Sequence, residues 1–476
     1  MIKMRKLIAL AVTLLFIVTA FFPKNIFANP DFYDMTGTSI MLVERNTGRI
    51  LYERNADMLI YPASMIKVLT AIVMLDHLEL DEIFVVGTEI QYVPFGSSVV
   101  GHVWGEHITG LNLLRGLMLP SGNDTANVVA AQVANRVSGL NLPFQQAEAI
   151  FTDLMNERAR QIGLTSSNFT NAHGFHDPLM QVTARDLIAL ADYAIGVPAI
   201  RQVAGEINHT GHTVPENHPD FENILTRQVN WNNTNRMLVG IFHHPHVTGL
   251  KTGFHTPAGH TFLGTAEHNG IELISVIGGS YNETRFVDTA RLFDYAFENY
   301  DFHLIHVGLN LIDEIEIHNP RWGDANYRPV FGTTNFVYFL NFEERNAVEQ
   351  EIIFFDEFMY RSYYNGYNYN EDQPVRFVAP LYAGNIIGRV VYTLDGQELF
   401  FDHIVVTEDI IAWSYIESFW FVVNYLRENP FSILGLSVIL GLIFLSIITG
   451  WLIGVIRRIY SKHNRVRRIQ RTKFKL

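Results

Sequence analysis

Ser64 and Lys67 stand three residues apart, just ahead of the apolar run Val68 to Leu75 and just behind Pro62. Proline pre-sets the backbone at a helix start, so Ser64 falls in the first turn and Lys67 on the same face one turn further in. A serine alcohol is a poor nucleophile until a neighbour takes its proton. A lysine set among Met65, Ile66, Val68 and Leu69 is partly desolvated, which lowers its pKa and lets it act as that base. Free backbone N–H groups at a helix start also favour developing negative charge. Alone the pair is weak evidence, because Ser-x-x-Lys arises by chance about once or twice in a chain this long. A surface serine beside a snorkelling lysine is the plain alternative.

Two further elements change the weight of that pair. Ser121-Gly122-Asn123 follows a short helix expected over Asn112 to Leu119 and stopped at Pro120, and Lys251-Thr252-Gly253 lies in an expected strand. Each alone is an ordinary turn or strand end. In this order and at these intervals they resemble the three motifs of the penicillin-binding proteins and serine β-lactamases. Leu117 to Asp124, Asn171-Ala172-His173-Gly174, Thr183 to Leu187, Asn233-Thr234-Asn235 and the opening Asn46-Thr47-Gly48 with Leu51 to Ala56 are similar to the low-molecular-mass D-alanyl-D-alanine carboxypeptidases. Gly384 to Val406 resembles the end of that family's C-terminal β domain, so the likeness runs over about residues 35–410.

The resemblance implies a mechanism residue by residue. Ser64 would attack the carbonyl between the two terminal D-alanines of a peptidoglycan stem peptide, with Lys67 as base. Ser121 would relay a proton to the leaving amine, and Asn123 would hold the substrate backbone amide. Lys251 would supply positive potential beside Ser121, and Thr252 would bind the terminal carboxylate. Gly253, lacking a side chain, would let the substrate lie along the strand as an added strand. Backbone N–H groups of Ser64 and Phe254 would form the oxyanion hole. β-Lactams would acylate the same serine. Arg285 is a candidate for the substrate carboxylate, with a helix-surface ion pair as its alternative. Relatives with an arginine between the two asparagines differ here, since Thr234 holds that place and Arg236 lies two residues on.

The elements that must position these residues follow from pattern. Ser39 to Val43 and Ile50 to Tyr52 read as a hairpin, and helices are expected over Thr125 to Val137, Leu142 to Ile162 and Ala184 to Ala194. Strands are expected at Val247 to Thr252, His260 to Ala266 and Ile271 to Gly278, the last two joined by the turn His268-Asn269-Gly270, and an amphipathic helix over Glu283 to Tyr300. The pattern gives an α/β (α+β) domain over residues 31–300, and the resemblance implies a central antiparallel sheet flanked by helices, as in the serine β-lactamase and penicillin-binding transpeptidase-like folds. A small all-β domain is expected over 301–409, acting as a stand-off above a membrane. Residues 411–427 read as an interfacial amphipathic helix, and the uncharged run Phe431 to Ile456 as a transmembrane helix. Lys3, Arg5 and Lys6 before the apolar run Leu7 to Phe22, with Ala28 behind it, give a signal peptide over 1–28, an uncleaved anchor being the alternative.

Nine Lys/Arg and no acid follow the span, which the positive-inside rule assigns to a cytoplasmic tail at 457–476 with the rest outside. Setting those nine and four leader bases aside from the 35 leaves 22 bases against 48 acids, about −26. An exterior that acidic argues against nucleic acid or an anionic polymer as partner. The absence of cysteine excludes disulfides and thiolate metal sites. His243, His244 and His246 read as a solvated turn and His173 as structural, so no metal and no cofactor is expected. A class A β-lactamase is disfavoured because no Glu-x-x-Leu-Asn stretch follows Ser121. A D,D-endopeptidase stays close in chemistry. A non-catalytic wall-binding scaffold would have no use for Ser64, Lys67, Ser121, Asn123 and Lys251 together.

Overall fold

A computed structural model describes residues 32–321, 324–360, 376–416 and 434–472, with the short pieces 363–364, 367–368, 419–420 and 423–424. The expected signal peptide and much of the expected interfacial helix lie outside the described residues. The chain divides into two compact units, residues 1–303 with 337–346, and residues 304–336 with 347–476.

The first unit is built on a five-stranded antiparallel sheet. Its strands are β1 (Ser39–Glu44), β2 (Arg49–Arg54), and three long strands late in the chain. Between them come two polar or short hairpins, β3 (Ile83–Val85) with β4 (His107–Thr109) and β5 (Asn208–His212) with β6 (Gln228–Asn232). The late strands are β7 (Val247–His255), β8 (Gly259–His268) and β9 (Ile271–Ser280). Sheet order is β2-β1-β9-β8-β7, which leaves β7 at an edge. The β8–β9 turn has Asn269 at φ 51° and Gly270 at φ 82°, the left-handed pair that a two-residue hairpin needs.

Strand alternation splits the core. β1 sends Met41 and Val43 into one cluster and Ile40 and Leu42 into the other; β8 does the same with Leu263 and Phe262. The larger cluster takes up helices α1 (Lys67–His77), α2 (Gly110–Met118), α3 (Asn123–Ser138), α4 (Phe144–Ile162), α5 (Ala184–Ile195) and α6 (Pro198–Ala204). The smaller takes α7 (Thr284–Asn299) through Phe286, Leu292, Phe293 and Ala296. The sheet is therefore covered on both faces, as the pattern of helices and strands predicts. α1 is buried at every position from Lys67 to Met74, the signature of a helix at the centre of a domain. α3 and α4 end at Gly139 (φ 70°) and Gly163 (φ 99°), left-handed caps that only glycine adopts freely.

The second unit carries a six-stranded mixed sheet in the order Glu349–Phe354, Ile386–Leu394, Gln397–Val405, Tyr327–Phe331, Leu311–His318, Arg376–Val378. Ile315, Ile317, Val330, Phe377, Val390 and Ile404 fill its core. The C-terminal helix Leu434–Thr472 contains the stretch Val438–Arg457, long and apolar enough to cross a membrane and with none of it buried.

Candidate active site

Ser64 does not sit in the α-helix itself. It lies in a single 3-10 turn, Ala63–Ile66, with Pro62 at the cap, and α1 starts at Lys67. Ala63 is in the left-handed region at φ 49°, an uncommon place for a residue with a Cβ and one found at functional sites. The turn is held from two sides. A Cβ on Gly174 would collide with the Ala63 carbonyl, and one on Gly253 would lie 2.9 Å from the Ser64 backbone N. Two glycines thus let the Asn171–Gly174 loop and the edge strand β7 close onto the nucleophile.

Lys67 is fully buried. Its Nζ lies 2.9 Å from Ser64 Oγ, 2.7 Å from Asn123 Oδ1 and 2.6 Å from the His173 carbonyl. Burial holds its pKa well below the usual lysine range, the charge of Lys251 adds to that, and Asp124 opposes it. Lys251 is also buried, and burial together with the Arg285 charge brings its pKa down to about 7. The His173 ring is held neutral, its pKa lowered to about 3 by burial and by Lys67. Its Nδ1 accepts from the Phe175 N–H, while its carbonyl serves the lysine. That carbonyl is the contact the sequence reading missed, since any residue type could supply it. The glycine after it was the available signal.

Asn123 opens α3, and the chain just before it is strained, with Ser121 buried at φ 62°. Asp124 anchors this corner by accepting from the N–H groups of Val100 (3.0 Å), Gly101 (2.8 Å) and His102 (3.1 Å). On β7, Thr252 Oγ1 lies 2.6 Å from Thr234 Oγ1. Phe254 is exposed and its ring lies tilted against His260 across the β7–β8 pair, with ring centroids 4.3 Å apart. Arg285 is buried, and its Nη1 donates to the Gly253 (2.9 Å) and Thr261 (3.3 Å) carbonyls. Burial lowers its pKa to about 10, with Glu283 raising it and Arg236 lowering it. Its Nη2 also lies 3.9 Å from Glu283 Oε1, so the arginine braces the strand and keeps a long ion pair on its own helix. The turn at His243 to His246 holds no group of metal ligands among the described residues.

A serine at a strained turn, a desolvated lysine against it and an open strand edge beside both define a serine hydrolase of the penicillin-binding class. The chain belongs to the D-alanyl-D-alanine carboxypeptidase family, peptidase S11, whose sequence profile matches residues 25–282. It is 27% identical over 284 residues to the D-alanyl-D-alanine carboxypeptidase DacF of Bacillus subtilis, covering 59% of this chain and 67% of that one. With the D-alanyl-D-alanine carboxypeptidase DacA of Haemophilus influenzae it shares 25% over 391 residues, 79% and 86% of the two chains. Among solved structures, penicillin-binding protein 5 of Haemophilus influenzae has the same fold, with a TM-score of 0.54 at 24% identity over 79% of this chain and 98% of that one. The Streptomyces K15 DD-transpeptidase matches at 26% identity with a TM-score of 0.51, over 56% and 98%.

Proposed function

We propose that this enzyme removes the terminal D-alanine from peptidoglycan stem peptides through an acyl-enzyme on Ser64, and that β-lactams acylate the same oxygen. The observation that carries the reading is the surroundings of Lys67. As a neutral amine it has two N–H bonds and one lone pair. The fixed oxygens of Asn123 and His173 take the two N–H bonds, which aims the lone pair at the Ser64 hydroxyl 2.9 Å away. Lys67 then takes the serine proton as the carbonyl is attacked. The backbone N–H groups of Ser64 and Phe254 receive the oxyanion, and Ser121 passes a proton to the departing amine. With Asn123 Oδ1 engaged by Lys67, its Nδ2 is the atom left to meet the peptide. Thr252 and the charge on Lys251 receive the terminal carboxylate. Water then hydrolyses the acyl-enzyme.

The apolar C-terminal helix serves as the membrane anchor, with its basic end inside and the catalytic unit outside, where peptidoglycan lies. A membrane-impermeant fluorescent penicillin added to intact cells should label the wild-type protein one to one and leave Ser64→Ala unlabelled. D-Alanine release from a pentapeptide then separates a carboxypeptidase from an endopeptidase. A well-folded wild type that takes no label would end the proposal.

A further inference from the structure

The turn Asn233-Thr234-Asn235 has no part in the chemistry above, yet it is held in one conformation by several independent bonds. Asn233 Nδ2 donates to the carbonyls of Ala204 (3.1 Å) and Glu206 (2.9 Å), and its Oδ1 accepts from the Asn235 N–H at 2.9 Å. Asn235 Oδ1 in turn accepts from the Met237 N–H at 3.0 Å. The Thr234 N–H donates to the Leu119 carbonyl at 3.0 Å, which ties the turn to the segment leading into Ser121. All of this fixes one hydroxyl, Thr234 Oγ1, 2.6 Å from Thr252 Oγ1.

Two hydroxyls at that distance share one hydrogen between them, so one must donate and the other accept. We infer that Thr234 is a positioning residue: its hydroxyl donates to Thr252 Oγ1, which frees the Thr252 O–H to point at the carboxylate of the substrate. The inference rests on the reading of Thr252 as the carboxylate ligand. Hydrogen bonds in series polarise one another, so a Thr252 oxygen that already accepts is a stronger donor outward. Arg285 and Arg236 have other partners. Arg285 Nη1 bonds the strand carbonyls, and Arg236 Nη1 pairs with Glu283 at 3.1 Å.

The test uses the full chain in detergent with two variants and two acyl-D-alanyl-D-alanine substrates, one ending in a free carboxylate and one in a carboxamide. Thr234→Val should raise KM for the carboxylate substrate by about three- to tenfold with kcat little changed, since the Thr252 hydroxyl loses the donor that orients and polarises it. Thr234→Ser, which keeps the hydroxyl, should restore KM to within about twofold. On the carboxamide substrate, wild type and Thr234→Val should be equally poor. Unchanged KM in Thr234→Val overturns the inference, as does an equal loss on both substrates that serine fails to rescue. A wild type that turns over neither substrate would instead overturn the carboxypeptidase reading itself.

Discussion

Lys67 in the first unit and Asp402 in the second are both cut off from water, at 0% and 3% exposure. Their surroundings are opposites. Asp402 accepts from the N–H groups of Thr333 (2.6 Å), Thr334 (3.0 Å) and His403 (2.8 Å), from both threonine hydroxyls, and from His306 Nε2 at 3.0 Å. His306 Nδ1 meets the Tyr392 hydroxyl at 2.8 Å. Burial pushes the carboxyl pKa up, but the Thr333 and Thr334 hydrogen bonds and His306 outweigh it and hold the group well below the usual carboxylate range. Lys67 has three neutral oxygens around it and a second lysine as the charge that moves its pKa furthest after burial. A buried charge that is fully bonded becomes a structural fixture. A buried group denied its charge becomes a reagent.

The contrast can be broken most sharply at the lysine. Lys67→Met should slow acylation by penicillin by roughly 10³-fold or more, and should lower stability by only about 1–3 kcal/mol, the cost of leaving the buried Asn123 Oδ1 and His173 carbonyl without their donor. Rapid-mixing kinetics with a fluorescent penicillin measures the first and scanning calorimetry the second. Asp402→Asn should do the reverse. It leaves donors unsatisfied and should lower the stability of the second unit by about 2–4 kcal/mol, with acylation by penicillin unaffected. Because the folded carboxyl is depressed, its contribution is present above the ordinary carboxylate pKa and is lost as pH falls toward the folded value.

A smaller effect concerns Lys251. With a pKa of about 7 it loses its charge as pH rises through neutrality, so KM for a carboxylate substrate should climb on that side. Lys251→Gln should flatten the climb. It should also move the acid limb of acylation to higher pH, since the charge that depresses Lys67 is gone. A titration of KM and kcat across pH 5–9 reads both. An acid limb that stays in place in Lys251→Gln would mean that the two lysines are not coupled.

Most of the sheet and helix order was legible because periodicity and turn chemistry agree. The β8–β9 turn is announced by Asn269-Gly270, and α3 and α4 by apolar spacing that ends at glycine. The β5–β6 hairpin was not legible, since Asn208–His212 is polar throughout and only Val229 and Trp231 of its partner strand are buried. α6 was missed although Pro198 at its first position is a start signal. In the site, Ser64, Lys67 and Lys251 were readable as candidates because residue type and spacing mark them, and the fold brings Lys67 Nζ to 2.9 Å from Ser64 Oγ. The His173 carbonyl and the Arg285 contacts to strand carbonyls were not, because backbone acceptors leave no mark on residue type.

The edge position of β7 has one more consequence. A strand with a sheet partner on one side only offers a template to another copy of the chain. Natural sheets discourage such growth with charges directed inward from the edge strand, and Lys251 lies in the middle of β7, 1% exposed. A foreign strand laid along β7 would bring no carboxylate to balance that already buried lysine. A buried lysine in mid-strand is therefore a charge that strand-to-strand growth along this edge would have to accommodate.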